Sequence, residues 1–185
     1  MRSKEHKLYA IPEYTTAEGI KAARKSLGMN QREFAEFVKV STPTVERWEG
    51  SSDKITGPIV VLVALIMRDA ELAQRLEIPD RKLKVRLYYM YEDMICTVID
   101  ADEVARVVEI YNYTDNLMKR AFGVNNKPSF EDYEEFLESR CFPKTRDKLK
   151  IELESLDIPY YDPMLIISKT EGRMANDKFW IKIIK

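Results

Sequence analysis

Two polar clusters late in the chain, at positions 139–147 and 169–173, contain the side chains with the clearest potential for chemistry. In the first cluster Cys141 follows Arg140 directly, and a neighbouring guanidinium favours the reactive thiolate form of a cysteine. A cysteine nucleophile also needs a base, but His6 is the only histidine and lies near the start of the chain. An enzymatic second half is therefore the least supported hypothesis, and we predict that the protein is not an enzyme.

The arginines of these clusters favour binding over catalysis. Arg140, Arg146 and Arg173 could together hold an anion or the acidic segment of a protein partner. The alternative is that they are ordinary charges at helix ends and in loops. An acidic run precedes them, which by default forms a solvated helix face but could also meet a basic partner or mimic nucleic acid. Its members are Glu131, Asp132, Glu134 and Glu135.

Composition argues against metal and cofactor sites. The two cysteines, Cys96 and Cys141, are far apart, and a single histidine is too few for a structural zinc site. The six glycines are spread thinly and form no phosphate-binding loop. We therefore predict no cofactor and two reduced, partly buried thiols.

Charge and hydropathy narrow the possible partners. The formal net charge is −1, and residues 1–60 contain ten Lys or Arg against eight Asp or Glu. Any contact with nucleic-acid phosphates must then come from local placement of basic groups. No apolar run approaches the roughly 18 residues that span a membrane. The basic first ten residues lack the apolar segment of a secretory signal, so we expect a cytoplasmic protein with no membrane partner.

The best-defined local structure is predicted for residues 30–50, where two short amphipathic runs flank a tight corner at Lys39 and Val40. Asn30 and Glu33 have the spacing of a capping box, which predicts the start of the first helix. Helices this short are not stable alone, so both must pack on each other and on flanking helices.

The second run of this stretch begins at its own cap. Ser41 precedes it, and Pro43 falls in its first turn, where the missing N–H has no cost. Packing of its apolar side leaves a polar face outward, which carries Thr42, Thr44, Glu46 and Arg47.

This stretch resembles the helix-turn-helix of XRE/Cro-type DNA-binding domains. The matching residues are Gln31, Glu33, Ala35, Val40, Ser41, Val45 and the ending Trp48-Glu49-Gly50. One departure is Lys39, where the family usually has a small residue, often glycine. A positive φ at a lysine costs about 1–2 kcal/mol. Over residues 15–78 the resemblance extends to the DNA-binding half of antitoxins of the HigA and MqsA type, and it implies a five-helix domain.

The resemblance implies particular roles in binding double-stranded DNA. Thr42 and Pro43 would start the recognition helix, and Arg47 would contact guanine. Gln31 would anchor a phosphate, with Thr44 and Lys54 as further phosphate contacts. The full predicted set is Gln31, Ser41, Thr42, Pro43, Thr44, Arg47 and Lys54. The alternative is a helix-turn-helix kept as a protein-interaction scaffold.

Flanking patterns complete the first domain. Residues 15–18 read as a capping box, Thr56 as the cap of an apolar fourth helix, and Asp69 as the opening of a fifth. An N-terminal arm contains Arg2, Lys4 and Lys7, which could reach DNA or simply form a frayed terminus. The polar break at 79–82 places the domain boundary, giving domains 1–79 and 80–185.

The second domain changes to a strand period. Alternating apolar residues predict strands near 85–90, 95–99 and 107–113, joined by short turns as an antiparallel meander, with a closing strand near 179–183. Helices are predicted after Thr114, Ser129, Thr145 and Asp162. The fold class is therefore an all-α helix-turn-helix domain followed by an α+β domain with a small antiparallel sheet.

The leading functional hypothesis is a transcriptional repressor of the antitoxin type, working as a homodimer. The alternative is a protein inhibitor whose C-terminal domain masks an enzyme, with DNA binding only for autoregulation. Its partner would be a toxin or kinase-like protein from a neighbouring gene. Separately, a set of residues in the second half, Arg140, Pro143, Arg146 and Asp177-x-x-Trp180, resembles a segment near the start of HipA-like kinases. The kinase machinery itself has no counterpart in this sequence, and no functional residue carries over.

Overall fold

The computed structural model describes residues 8–69 and 71–184 of the chain. Contacts divide it into two compact units, an N-terminal unit that ends at Glu77 and a C-terminal unit that starts at Ile78. The arginine and lysines of the predicted arm, Arg2, Lys4 and Lys7, lie outside the described residues.

Helices build the described part of the N-terminal unit. In chain order they are α1 (Ala17–Ser26), α2 (Gln31–Val38), α3 (Thr42–Glu49), α4 (Pro58–Arg68) and α5 (Leu72–Leu76). Their apolar faces meet in one core, whose buried members are Ile20, Ala23, Phe34, Ala35, Val45, Ile55, Ile59, Val60, Val63 and Ile66. Helices this short depend on such a core for their stability.

Two of the predicted helix starts in this unit were wrong in detail. Thr16 caps α1 through a 3.2 Å hydrogen bond from the Gly19 N–H, so a capping box formed by residues 15–18 is absent there. Gly57, with φ +97, precedes α4 in place of Thr56. The turn after α1 ends at Gly28, which has φ +68, and Met29 donates back to the Arg24 carbonyl.

A four-stranded antiparallel sheet forms the described centre of the C-terminal unit. Its strands are β1 (Val85–Tyr91), β2 (Met94–Asp102), β3 (Val107–Asn112) and β4 (Phe179–Ile184), in the spatial order β3-β2-β1-β4. Three helices follow β3, namely α6 (Phe130–Ser139), α7 (Leu149–Ser155) and α8 (Pro163–Thr170). The predicted fold class is thus confirmed for both units.

One core joins the sheet to these helices. Leu87, Ile99 and Ile181 from the strands pack with Tyr133 of α6 and Ile166 of α8, and all five are almost fully buried. In the sheet, Arg86 of β1 stands opposite Asp100 of β2 and donates two hydrogen bonds of 2.6 and 2.7 Å to its carboxylate.

Two predicted helices of this unit differ from the structure. The segment after Thr114 forms only one 3-10 turn, Leu117–Lys119, because Asn116 caps that turn and Arg120 leaves it in an extended conformation. The helix predicted after Thr145 starts later, at Leu149, because Lys148 has φ 68, outside the helical region.

Candidate nucleic-acid interface

The corner between α2 and α3 is held from both sides. Asn30 and Glu33 form the predicted capping box, with reciprocal hydrogen bonds of 3.0 and 2.8 Å. At the other end of α2, Lys39 adopts the predicted left-handed conformation, with φ 60 and ψ 43, and Val40 donates to the Ala35 carbonyl. Three residues, Lys39, Val40 and Ser41, therefore join α2 to α3 in a defined conformation.

The start of α3 differs from the predicted cap. Ser41 is extended as a cap residue should be, but its side chain makes no capping hydrogen bond to the backbone. Instead its hydroxyl lies 2.9 Å from the hydroxyl of Thr44. The side chains of Ser41 and Thr44, both candidate DNA contacts, thus orient each other. Pro43 lies between them in the first turn of α3.

The outward face of α3 presents a free guanidinium. Val45 is fully buried and Trp48 partly so, whereas Pro43, Glu46 and Arg47 are exposed. Among the described residues Arg47 has no hydrogen-bond or ion-pair partner, and Glu46 does not orient it. An exposed, unpaired guanidinium on a helix can make the bidentate contact to guanine that specifies a base.

A buried network behind α3 was missed at the sequence level. The carboxylate of Glu49, 5% exposed, accepts hydrogen bonds from Arg24 of α1 at 2.7 and 3.1 Å. It also accepts one from the Gln31 amide at 2.9 Å, while Arg24 donates further to the Met29 carbonyl. The network joins the end of α1, the start of α2 and the end of α3, so it fixes the angle at which α3 stands.

The network also controls the ionisation of Glu49. Burial raises the pKa of this carboxyl, but hydrogen bonds from Arg24 and Gln31 and the positive charge of Arg24 outweigh it, so the pKa is lowered overall. Glu49 is therefore charged at neutral pH. The only sequence signal for it was its place in the Trp48-Glu49-Gly50 ending, since Arg24 lies 25 positions away.

The two remaining candidate DNA contacts are also held in place. Gln31, at the first position of α2, is half-buried with its amide fixed by Glu49. The exposed ammonium of Lys54 lies 4.2 Å from the centre of the Tyr14 ring. Next to it, Ile55 pairs with Thr15 through two backbone hydrogen bonds of 2.8 and 2.9 Å.

In the C-terminal unit the structure changes the interpretation of Arg140. This residue is 7% exposed, and its guanidinium donates to the Gly172 and Phe179 carbonyls and to the Asp177 carboxylate at 2.7–3.1 Å. A shared anion site would need this group to be free. Arg146 and Arg173 are exposed, and each pairs with a neighbouring glutamate, at 3.0 and 2.7 Å.

Burial also argues against Cys141 as a nucleophile. Its thiol lies inside the core, 3.3 Å from the Leu137 carbonyl. Burial, helped by the nearby charges of Glu138 and Asp162, raises the pKa of this thiol to about 12, and the lowering effect of Arg140 is smaller. The thiolate that nucleophilic attack requires is therefore disfavoured at neutral pH. Cys96 is likewise a free, buried thiol.

The predicted acidic face of α6 forms one wall of an open groove of about 580 Å³. Arg106, from the turn between β2 and β3, pairs there with Glu131 at 2.6 Å and with Glu134 at 3.2 Å. The carboxylates that line the groove are Glu103, Glu131, Glu134, Glu135, Glu138 and Asp162. This region of the unit therefore has a strongly negative surface.

Two broader features bear on partners. In residues 8–69 and 71–184 no helix is both long and apolar enough to cross a membrane. The same residues contain no group of three or more His, Cys, Asp or Glu side chains that could hold a metal ion.

Comparison with known families assigns the N-terminal unit. Residues 20–68, from α1 to the end of α4, match the family model HTH_3, described as helix-turn-helix. The match confirms the XRE-type helix-turn-helix and supports a DNA-binding regulator of that family. It stops at Arg68 and leaves the C-terminal unit without a family. No curated protein matches the chain.

Proposed function

We propose that this protein is a sequence-specific transcriptional repressor of the antitoxin type, in which α3 enters the major groove of DNA. The observation that carries the proposal is the contrast across α3. Its C-terminal end is fixed by the ion pair between Arg24 and the buried Glu49. On its outer face Arg47 is exposed and has no partner among the described residues. A rigid helix with a free guanidinium is suited to reading a base edge.

The other predicted contacts divide into base-reading and positioning groups. Thr42 and Pro43 lie at the start of α3, the end that meets base edges in this type of domain. Gln31, Thr44 and Lys54 are polar groups at or near helix starts and in the following loop, suited to phosphate oxygens. Because the overall charge is near zero, affinity depends on these few groups, and it should fall as the salt concentration rises.

The test is fluorescence anisotropy of the full chain with duplex DNA from the region upstream of its own gene. We expect binding to a palindromic site, and we expect Arg47→Ala to weaken it by about 1–3 kcal/mol with relaxed base preference. Arg75→Ala is the matched control, because it removes the same charge from the exposed Arg75–Asp69 pair of the same unit. Equal binding by wild type and Arg47→Ala would rule out the assigned recognition helix.

A second candidate is an inhibitor whose C-terminal unit masks a basic partner enzyme, with DNA binding only for autoregulation. The carboxylate-lined groove beside α6 favours it, because such a surface attracts basic proteins. The full chain should then co-purify with the product of a neighbouring gene. Glu135→Lys should weaken that complex and leave DNA binding unchanged, and a complex insensitive to this change would exclude the groove.

A further inference from the structure

The two edges of the sheet differ in whether the chain itself satisfies their outward backbone groups. On β4, at one edge, Ile181 donates its N–H to the Glu171 carbonyl at 2.7 Å. The carbonyl of Phe179, in the same strand, accepts a hydrogen bond from the Arg140 guanidinium at 3.0 Å. Groups from outside the sheet therefore close part of the β4 edge. The opposite edge of the sheet is β3.

The pairing of β3 with β2 determines which of its backbone groups point outward. Tyr113 donates to the Cys96 carbonyl at 2.9 Å, and these two residues continue the register of the strand pair. Hydrogen-bonded and non-hydrogen-bonded pairs alternate along an antiparallel ladder, so Val108, Ile110 and Asn112 direct their N–H and C=O groups away from β2. In the described part of the chain, the backbone groups of Val108 and Ile110 have no hydrogen-bond partner.

The free β3 edge lacks the usual protection against strand addition. Natural edge strands discourage pairing with other chains through lysine side chains, proline or a bulge. β3, with the sequence VVEIYN, contains neither lysine nor proline, and it pairs with β2 without a shift in register. β4, in contrast, contains Lys182. The outward groups of β3 thus form a regular row of donors and acceptors with which another extended chain can pair.

An open groove of about 410 Å³ lies beside this edge, between β3 and the segment that leads into α6. Val108 and Ile110 pack against the core between the sheet and the helices. Because successive side chains of a strand alternate, Glu109 and Tyr111 lie on the other face of the sheet. We call this space the β3 groove, and its lining residues are Val108, Glu109, Ile110, Tyr111, Asn126, Lys127 and Pro128.

We propose that the β3 groove binds an extended segment of another protein, which adds to the sheet as a fifth strand. The main chain of this segment pairs with the outward N–H and C=O groups of Val108 and Ile110. Its residues on the helix-facing side are apolar, because they adjoin Val108, Ile110 and Pro128. On the other face it presents Lys or Arg to Glu109. This carboxylate accepts one hydrogen bond, of 3.0 Å from the Tyr111 hydroxyl, and has no ion-pair partner among the described residues.

Charge and space favour a separate protein over a second copy of this chain. β3 contains no basic residue, so another β3 along the edge brings no cation to Glu109. A second copy would also bring its own segment 126–128 into the groove, whereas a single extended chain needs only the space beside one strand. The β3 groove shares no lining residue with the carboxylate-lined groove beside α6, so the two are separate surfaces.

Selection of a phage-displayed library of random peptides on the full chain tests the β3 groove. We expect the enriched peptides to alternate apolar residues with Lys or Arg. The most enriched peptide is then synthesised, and its affinity is measured by isothermal titration calorimetry. Ile110→Pro should weaken its binding about 10-fold relative to Ile110→Ala, because proline removes an outward N–H. Ile110→Ala is the matched control, since it loses similar packing and keeps that N–H.

The proline variant should still fold, because the N–H that it lacks makes no bond to β2. Circular dichroism verifies this, and Val108→Pro with Val108→Ala replaces the pair if Ile110→Pro unfolds. Bound peptide should also slow hydrogen exchange at the amides of Val108 and Ile110. A library that yields no binding peptide, or equal binding by the proline and alanine variants, would overturn the inference. So would a dimer of the full chain that the peptide dissociates, because it would assign the edge to a second copy. DNA plays no part in these measurements, so their failure is distinguishable from failure of the proposed function.

Discussion

Two arginine–carboxylate pairs, Arg24–Glu49 in the N-terminal unit and Arg140–Asp177 in the C-terminal unit, have similar geometry and different surroundings. Arg24 and Arg140 each donate two hydrogen bonds to a carboxylate at distances of 2.7–3.1 Å. In the N-terminal unit the carboxylate, Glu49, also accepts from Gln31, which lies at the start of α2 and is partly exposed. In the C-terminal unit the remaining donors of Arg140 end on backbone carbonyls.

The difference shows which kind of arginine–carboxylate pair indicates a functional site. Each pair has one buried member, Glu49 or Arg140, and a carboxyl with a lowered pKa, so neither property alone identifies function. Only the Glu49 network continues to an amide that can meet a ligand. The Arg140 network closes on the fold itself, joining the end of α6 to the residues that precede and begin β4. The Glu49 network supports the surface proposed to contact DNA, and the Arg140 network holds together distant parts of the C-terminal fold.

The largest loss of stability should come from disrupting the Arg140 network. Arg140→Met leaves two carbonyls and the Asp177 carboxylate without their donor, and we expect it to destabilise the C-terminal unit by about 3 kcal/mol. Urea denaturation followed by tryptophan fluorescence measures this, with Trp180 in β4 as a local reporter. Arg146→Met is the control, since its pair with Glu152 is exposed and should contribute less than about 1 kcal/mol. Equal effects of the two changes would contradict the comparison.

Disrupting the Glu49 network should cost less stability than disrupting the Arg140 network, but it should also weaken DNA binding. Glu49→Gln keeps the shape and removes the charge that holds Arg24, for an expected loss of about 2 kcal/mol. DNA affinity should also fall, because α3 loses its fixed angle. Glu46→Gln, three residues earlier on the exposed face, should leave stability unchanged. Full DNA affinity in a destabilised Glu49→Gln protein would show that the network serves only folding.

Acid should weaken both networks. Burial raises the pKa of Glu49, but the hydrogen bonds that it accepts have the larger effect and lower this pKa overall. The hydrogen bond from Arg140 lowers the pKa of Asp177. For a carboxyl with a lowered folded-state pKa, the stabilisation is complete above the ordinary value and is lost as the pH falls through the folded value. Stability should therefore decline below the ordinary pKa values of 4.5 and 3.8. Urea titrations across this range should show a shallower decline for Glu49→Gln.

Substitution of Gln31 tests whether the Glu49 network extends to bound DNA. We expect Gln31→Ala to reduce DNA affinity by about 1 kcal/mol, since it removes one hydrogen bond to a phosphate. The loss should be similar for all DNA sequences, unlike the base-dependent loss expected for Arg47→Ala. Anisotropy titrations on matched and mismatched duplexes distinguish the two. A sequence-dependent effect would assign Gln31 to base reading.

Sequence patterns predicted several features whose determinants were local. The capping box at Asn30 and Glu33, the left-handed Lys39 and the alternating strands all follow from residues a few positions apart. The two arginine networks were missed because their members lie 25 and up to 39 positions apart in sequence. The helix predicted after Thr114 failed for a local reason, because Asn116 caps a single 3-10 turn and Arg120, whose side chain donates to the Thr114 carbonyl, leaves that turn in an extended conformation.

The smallest expected effect concerns the corner itself. Lys39→Gly should stabilise the N-terminal unit by about 1 kcal/mol, because glycine adopts φ 60 without strain. Glu36→Gly, within the same helix, is the opposite control and should cost about 1 kcal/mol. Thermal melts of both variants measure the difference. Destabilisation by Lys39→Gly would mean that the lysine side chain stabilises the corner in some other way.

The strand order of the sheet has a consequence for synthesis on the ribosome. β4 is translated after all the other strands and helices described here, yet it pairs with β1, the first strand of the sheet. Until β4 emerges, one edge of β1, with the sequence VRLYYMY, has no neighbouring strand. Domains fold as units during translation, so the helix-turn-helix can form early while the nascent sheet remains open to wrong pairing. The C-terminal unit should therefore be the part that depends on chaperones.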